Sequence, residues 1–161
     1  MLVGVVSDTH LPRFGRSLPP ALLDGLRGVD LILHAGDLTE LFVLDELAQI
    51  APVEAVYGNV DSLSVLLALP AKRVIEVAGV RVGLVHGHGQ GSTTLQRAQR
   101  AFSGTSVAAI VFGHSHAPYC QRLGEVLLFN PGSPTDKRRE ARPSFGVLRV
   151  EEKIEGAIHY L

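Results

Sequence analysis

Leu2-Val-Gly-Val-Val-Ser-Asp-Thr-His10 sets a short apolar run directly before a polar turn. A continuous apolar run of this length is the mark of a strand covered on both faces. A strand that ends in such a turn presents its last side chains at the rim of a sheet, here Asp8 and His10. In extended backbone, residues two apart share a side, so this pair is expected to face one ion.

The same grammar recurs downstream. Asp30 to His34 runs into Ala35-Gly36-Asp37, and Val53 to Tyr57 runs into Gly58-Asn59. Val80 to Val85 precedes His86-Gly87-His88, and Val107 to Phe112 precedes Gly113-His114-Ser115-His116. Five strands would then aim carboxylate, amide and imidazole groups at one place. Between them lie helix candidates at Pro19 to Arg27 and Leu41 to Ile50, the first with Pro at its start and Gly28 just past its end. A further helix, Thr93 to Ser103, has Thr93 and Gln96 at capping-box spacing and Gly104 at its stop. Arg73 to Val77 and Val80 to Val85 flank Ala78-Gly79, a hairpin signal. Tyr119 to Leu123, Val126 to Phe129, Phe145 to Val150 and Ile154 to Leu161 read as further hairpin strands. The first half predicts parallel βαβ units and the second adds antiparallel strands. Two mixed sheets packed on each other with helices outside would bury the whole set.

The chain has 161 residues, enough for one domain with a sizeable core, and no linker or repeat divides it, so residues 1–161 are expected to form a single domain. A hydrophobic fraction of 46% against 19% charged residues excludes a disordered chain. The net charge of −1 demands no nucleic-acid partner, and 6% aromatics offer no stacking platform, so a nuclease ranks last among the readings. Cys120 is the only cysteine, so no intrachain disulfide forms, which suits a cytoplasmic setting. The opening residues lack a basic segment, so no signal peptide is expected, and no stretch approaches the roughly 20 apolar residues of a membrane span.

The site chemistry rests on Asp8, His10, Asp37, Asn59, His86, His114 and His116. Oxygen and imidazole donors without thiolate argue against a closed structural zinc site. They favour two divalent ions, manganese first, with zinc, iron and nickel as alternatives. Cations about 3.5–4 Å apart would acidify a bridging water and clamp an in-line displacement at phosphorus. Taken singly, each residue has a plainer reading. Asp37 suits a turn or a helix cap near Thr39, and Asn59 suits a turn with positive φ. Asp61 reads as the cap of a helix beginning near Ser62, and His34 as a satisfied core residue. His88 can line a substrate pocket, His159 and Cys120 have no part in the site, and Lys137, Arg138, Arg139 and Arg142 read first as a solvated loop. The joint order of the motifs decides for a binuclear site.

In that order, SDTH, GD, GN-x-D, HGH and GH-x-H resemble the calcineurin-like metallophosphoesterases. The short length and Asn130-Pro-Gly-Ser133 resemble the small YfcE-like phosphodiesterase branch. The resemblance implies a four-layer α/β/β/α sandwich with the metals at the sheet edges. It implies one metal on Asp8, His10, Asp37 and His116. A second falls on Asp37, Asn59, His86 and His114, with Asp37 bridging. Many relatives have a histidine where this chain has Val60, and that histidine is assigned to leaving-group protonation or phosphate contact. The implied activity is hydrolysis of a small phosphodiester by a metal-bridging hydroxide; Asp37 and Asn59, with His88 added from its place in the HGH motif, are the expected catalytic set. The competing reading is a catalytically weak protein scaffold like the retromer's metallophosphoesterase-like subunit. No membrane partner is expected, and the sequence leaves self-association into a homo-oligomer open.

Overall fold

The computed structural model describes residues 1–161. In chain order its elements are β1 (Leu2–Val6), α1 (Pro20–Gly25), β2 (Leu31–His34), α2 (Phe42–Ala48), β3 (Val53–Ala55) and α3 (Leu63–Ala68). There follow β4 (Lys72–Val77), β5 (Val80–Val85), α4 (Thr94–Ala101), β6 (Ala109–Val111), β7 (Tyr119–Leu123), β8 (Val126–Asn130), β9 (Ser144–Val150) and β10 (Ile154–Tyr160). They make two five-stranded sheets, ordered β10-β9-β1-β2-β3 and β4-β5-β6-β8-β7.

Strand alternation builds the layers. Val3 and Val5 of β1, Leu33 of β2 and Leu148 and Val150 of β9 point at the second sheet. They meet Ile75, Val77, Val82, Leu84, Ala109, Val111, Leu127 and Phe129 in a core of 16 buried residues. Val6 and Ile32 point the other way, onto Leu22 of α1, Leu26 just past it, Val43 and Leu47 of α2 and Val65 of α3. On the far face of the second sheet, Ala98 and Phe102 pack on Ile110, Phe112 and Leu128. The result is the four-layer α/β/β/α sandwich of two mixed sheets. Full burial of one such Leu or Val is worth roughly 1.5–3 kcal/mol, so the inter-sheet layer and the helix-covered face of the first sheet both contribute heavily to stability.

Sequence signals fix several joints. Ala78 and Gly79 both take positive φ (49° and 77°) between paired Val77 and Val80, the geometry a two-residue hairpin needs. Thr93 caps α4, with both bonds of the capping box formed. The hairpins expected in the second half all form, β4 with β5, β7 with β8 and β9 with β10, and parallel pairs lie beside them. β5, β6 and β8 pair in parallel, because α4 carries the chain across from β5 to β6 and β7 returns it to β8. The parallel strands β1, β2, β3, β5 and β6 all deliver their carboxyl ends to one edge of the sandwich, and the motif turns follow there.

Candidate metal centre

At that edge two groups of side chains come together. Asp8, His10 and His116, all buried, form one; Asp37, His86 and half-buried His114 form the other. Within each group the potential donor atoms lie within 4.8 Å of one another, a span one cation can occupy. The groups touch. Asp37 Oδ2 stands 3.1 Å from His86 Nε2 and 3.8 Å from His10 Nε2. Asp8 Oδ1 stands 3.3 Å from His116 Nε2, 3.8 Å from His10 Nε2 and 3.9 Å from His86 Nε2. The rings of His10 and His116 stack at 5.1 Å.

Each carboxylate is held by one oxygen and offers the other. Asp8 Oδ2 accepts from Ser7 Oγ (2.7 Å) and from the His114 N–H (2.9 Å). Asp37 Oδ1 accepts the Val60 N–H at 3.0 Å. Two histidines are fixed in the same manner. His86 Nδ1 donates to the Ala35 carbonyl (2.7 Å) and His116 Nδ1 to the Asp136 carbonyl, so Nε2 of each is turned to the carboxylates. Backbone carbonyls that fix the tautomer and aim the other ring nitrogen are what metal-binding imidazoles require. Asp8 Oδ1, His86 Nε2, His88 Nδ1 and His114 Nδ1 are buried without a hydrogen-bond partner. Orphaned buried donors and acceptors are costly, and three of these four atoms belong to the two groups that could hold cations, His88 Nδ1 being the exception.

The electrostatics agree. Burial pushes the Asp8 carboxyl up, but His116 and His86 outweigh it and hold it below the ordinary range. Burial opposes ionisation of Asp37 too, yet hydrogen bonding and charge from His86 bring it down to about 2. Burial lowers His10, and it lowers His114 to about 4, leaving both rings neutral with a lone pair free. His86 and His116 are raised despite burial, because each faces a carboxylate.

The backbone departs from expectation. Asp8, His10, Asp37, His114 and His116 all have positive φ, at 56°, 47°, 56°, 67° and 59°. The extended-strand argument for Asp8 and His10 is therefore corrected: they join one group through a left-handed turn. Each such residue costs on the order of 1 kcal/mol, a strain that concentrates at functional sites. Asn59 is not among the positive-φ residues, so the plain turn reading fails for it and holds for Asp37. Asn59 itself is exposed and lies between Gly58 and Val60, in the turn pressed on the Asp37 carboxylate. A Cβ on Gly58 would strike that carboxylate, and one on Gly113 would strike Ser7 and Asp8. Both turns need glycine for room.

Asp61 is a second correction. It does not cap α3, whose N-cap is Ser62, and no side chain caps the helix there. Its carboxylate accepts the N–H groups of Gly58 (2.6 Å), Thr39 (2.6 Å) and Asp37 (3.2 Å), tying the turn after β2 to the turn after β3. Sequence reasoning stopped at the helix start and missed this clamp. Asn130 does the same job on the other sheet: its Nδ2 donates to the Gly113 carbonyl and its Oδ1 accepts the Gly132 N–H, both at 2.9 Å.

The remaining candidates separate cleanly. His34 is buried and satisfied: its Nδ1 accepts the Gly36 N–H and its Nε2 meets Thr9 Oγ1, both at 3.2 Å. His88 sits 5.4 Å from His86 and 6.4 Å from His114, ring to ring, beside the second group and outside both. Val60 is 46% exposed and carries no proton to give. His159 stacks on Phe145 and Cys120 bonds the Gly156 carbonyl, both away from the centre. The basic run splits. Arg138 leans on the His114 carbonyl (3.3 Å), whereas Arg142 is spent on the carbonyls of Leu161 and Tyr160.

Residues 1–153 match the calcineurin-like phosphoesterase superfamily domain, and the chain belongs to that family. A probable metallophosphoesterase of Methanothermobacter thermautotrophicus is 43% identical over 161 residues, covering 98% of this chain and 91% of that protein. Phosphodiesterase YfcE of Escherichia coli is 33% identical over 113 residues, covering 66% of this chain and 58% of its own. Among solved structures, a novel archaeal phosphodiesterase superposes with a TM-score of 0.79 at 25% identity and full coverage of both chains. Vps29 of Entamoeba histolytica, solved with zinc, superposes with a TM-score of 0.76 at 26% identity over 99% of each chain.

Proposed function

We propose that this single-domain chain is a two-metal phosphodiesterase acting on a small phosphodiester. Asp8, His10, Asp37 and His116 hold one divalent ion, and Asp37, Asn59, His86 and His114 hold the other. Manganese is the first choice of metal, with zinc, iron and nickel as alternatives. The observation that carries the reading is the pair of touching Asp–His groups with their inward oxygens and ring nitrogens already aimed. Phosphodiesterase-named relatives support the same activity.

Two divalent ions bound there supply an acidified water as nucleophile and neutralise charge during in-line displacement at phosphorus. The chain's own residues do the rest. Asp37 serves both groups through Oδ2 alone, because the Val60 N–H occupies Oδ1. Asn59 adds a neutral amide oxygen from a turn that Asp61 locks to Asp37. His88, beside His86 and His114, contacts a substrate oxygen. Nothing at position 60 protonates the departing alcohol.

The test is a leaving-group series of phosphodiesters with manganese-loaded protein. We expect good turnover of aryl diesters, a steep fall as leaving-group pKa rises, and loss of activity on chelation. Val60→His is expected to flatten the slope, since general acid catalysis is worth roughly 10²–10⁴-fold. A shallow slope that Val60→His leaves unchanged would mean another group already supplies the proton.

A scaffold role is the second reading, favoured by the Vps29 likeness and by Leu63 and Leu67 of α3, which are 70% and 80% exposed beside the Asn59 turn. Metal-loaded protein that hydrolyses no phosphoester in the series would decide for it. No helix is long and apolar enough to cross a membrane; we take the setting to be cytoplasmic, with no nucleic-acid partner.

A further inference from the structure

The loop after β8 is built onto the candidate metal residues. Ser133 Oγ donates to the Asp8 carbonyl (2.8 Å), Thr135 Oγ1 to the Thr9 carbonyl (2.7 Å), and His116 Nδ1 to the Asp136 carbonyl. Beyond these anchors the chain folds into a tight turn. Asp136 Oδ1 accepts the Arg138 N–H at 3.3 Å, and Lys137 Nζ donates to the Glu140 carbonyl at 2.8 Å. Arg138 Nη1 then reaches the carbonyl of His114. Three consecutive cations, Lys137, Arg138 and Arg139, are thus carried at a fixed place beside the centre.

Ser115, Lys137, Arg138, Arg139 and Glu140 line a cleft of about 580 Å³ without one apolar residue. Ser115 lies between His114 and His116, so the cleft opens within one residue of both groups. Of the three cations only Arg138 has a carboxylate partner, Asp136, at 3.9 Å. Glu140 is the one anion in the lining, and its carbonyl is what Lys137 uses. Guanidinium forks and an ammonium are the groups that recognise phosphate.

We propose that this cleft is a second anion subsite, and that the diester handled at the centre carries a further phosphate monoester seated against Lys137, Arg138 and Arg139. The inference rests on the two-metal reading above. Calorimetric titration of manganese-loaded protein with thymidine 5′-phosphate and thymidine 3′,5′-bisphosphate tests it without turnover. We expect the bisphosphate to bind about tenfold more tightly at low salt, with the advantage shrinking as salt screens it. Combining Lys137→Ala with Arg138→Ala should bring the ratio of the two affinities to about one. Arg142→Ala, whose guanidinium is engaged elsewhere, should leave the ratio as it was. Equal affinities in the unaltered protein, or a ratio that survives the double substitution, overturns the subsite. Failure of both nucleotides to bind manganese-loaded protein overturns the two-metal reading first, and the subsite with it.

Discussion

Asp8 and His10 are two residues apart and end in one group; His114 and His116 are also two apart and end in different groups. All four have left-handed backbone, so neither spacing nor φ separates the pairs. The difference lies in what grips each side chain from behind. Asp8 is pinned by Ser7 and by the N–H of His114, which leaves one oxygen facing His10 and His116. His116 is swung toward that oxygen by the carbonyl of Asp136, 20 residues further on, whereas His114 has no such partner and falls in with His86. A motif therefore nominates residues, and contacts from distant loops assign them.

The largest effect expected from this comparison falls on Asp37, which we propose both metals share. Asp37→Ala should lower phosphodiester turnover by about 10³-fold or more and weaken both metal sites, because Oδ2 is the donor nearest His86 and also faces His10. His159→Ala and Cys120→Ser, remote from the centre, should leave kcat within about twofold. A folded Asp37→Ala variant with near-normal rates would break the assignment.

Asp61 sharpens the point about grips. Asp61→Ala strips three N–H groups of their acceptor, and each buried unpaired donor costs roughly 1–3 kcal/mol. We expect a clear drop in melting temperature and a metal affinity about 10–100-fold weaker. The readout that separates positioning from mere stability is Asp61→Asn. Its remaining carbonyl oxygen should recover part of the metal affinity measured on folded protein well below the melting transition.

A smaller effect concerns His34, behind the turn that carries Asp37. Burial lowers its pKa from the ordinary 6.5 to about 4. Between those values the unfolded chain binds more protons than the folded one, so this contribution to stability is whole above pH 6.5 and is lost as pH falls toward 4. The loss amounts to about 3 kcal/mol at most. Metal-free protein should show it in urea titrations across that window, together with the share of His114, and His34→Gln should make the dependence shallower. An unchanged slope would place the acid sensitivity elsewhere.

Much of this was legible in the chain. Apolar runs ending in Gly-rich turns located the five strands that feed the centre, and six of the seven nominated donors fall into two groups. The seventh, Asn59, stands in the turn against Asp37. What sequence could not supply were long-range polar contacts. Asp61 precedes a helix and looks like its cap, yet it binds backbone 22 and 24 residues upstream. Left-handed φ at Asp8, His10, His114 and His116 was equally hidden, because none of these residues signals it as glycine would. The parallel pairing of β6 with β8 was masked by hairpin-like spacing, since β7 occupies that crossover.

The central claim is that two metal sites share Asp37, and bound metal per chain tests it most directly. Protein equilibrated with manganese and freed of excess should hold two ions per chain by elemental analysis. Replacing His10 and His116 together by Ala should remove one ion and leave the Asp37, His86 and His114 site occupied. A single ion or none in the unaltered protein, or two ions in the doubly substituted one, would contradict the account.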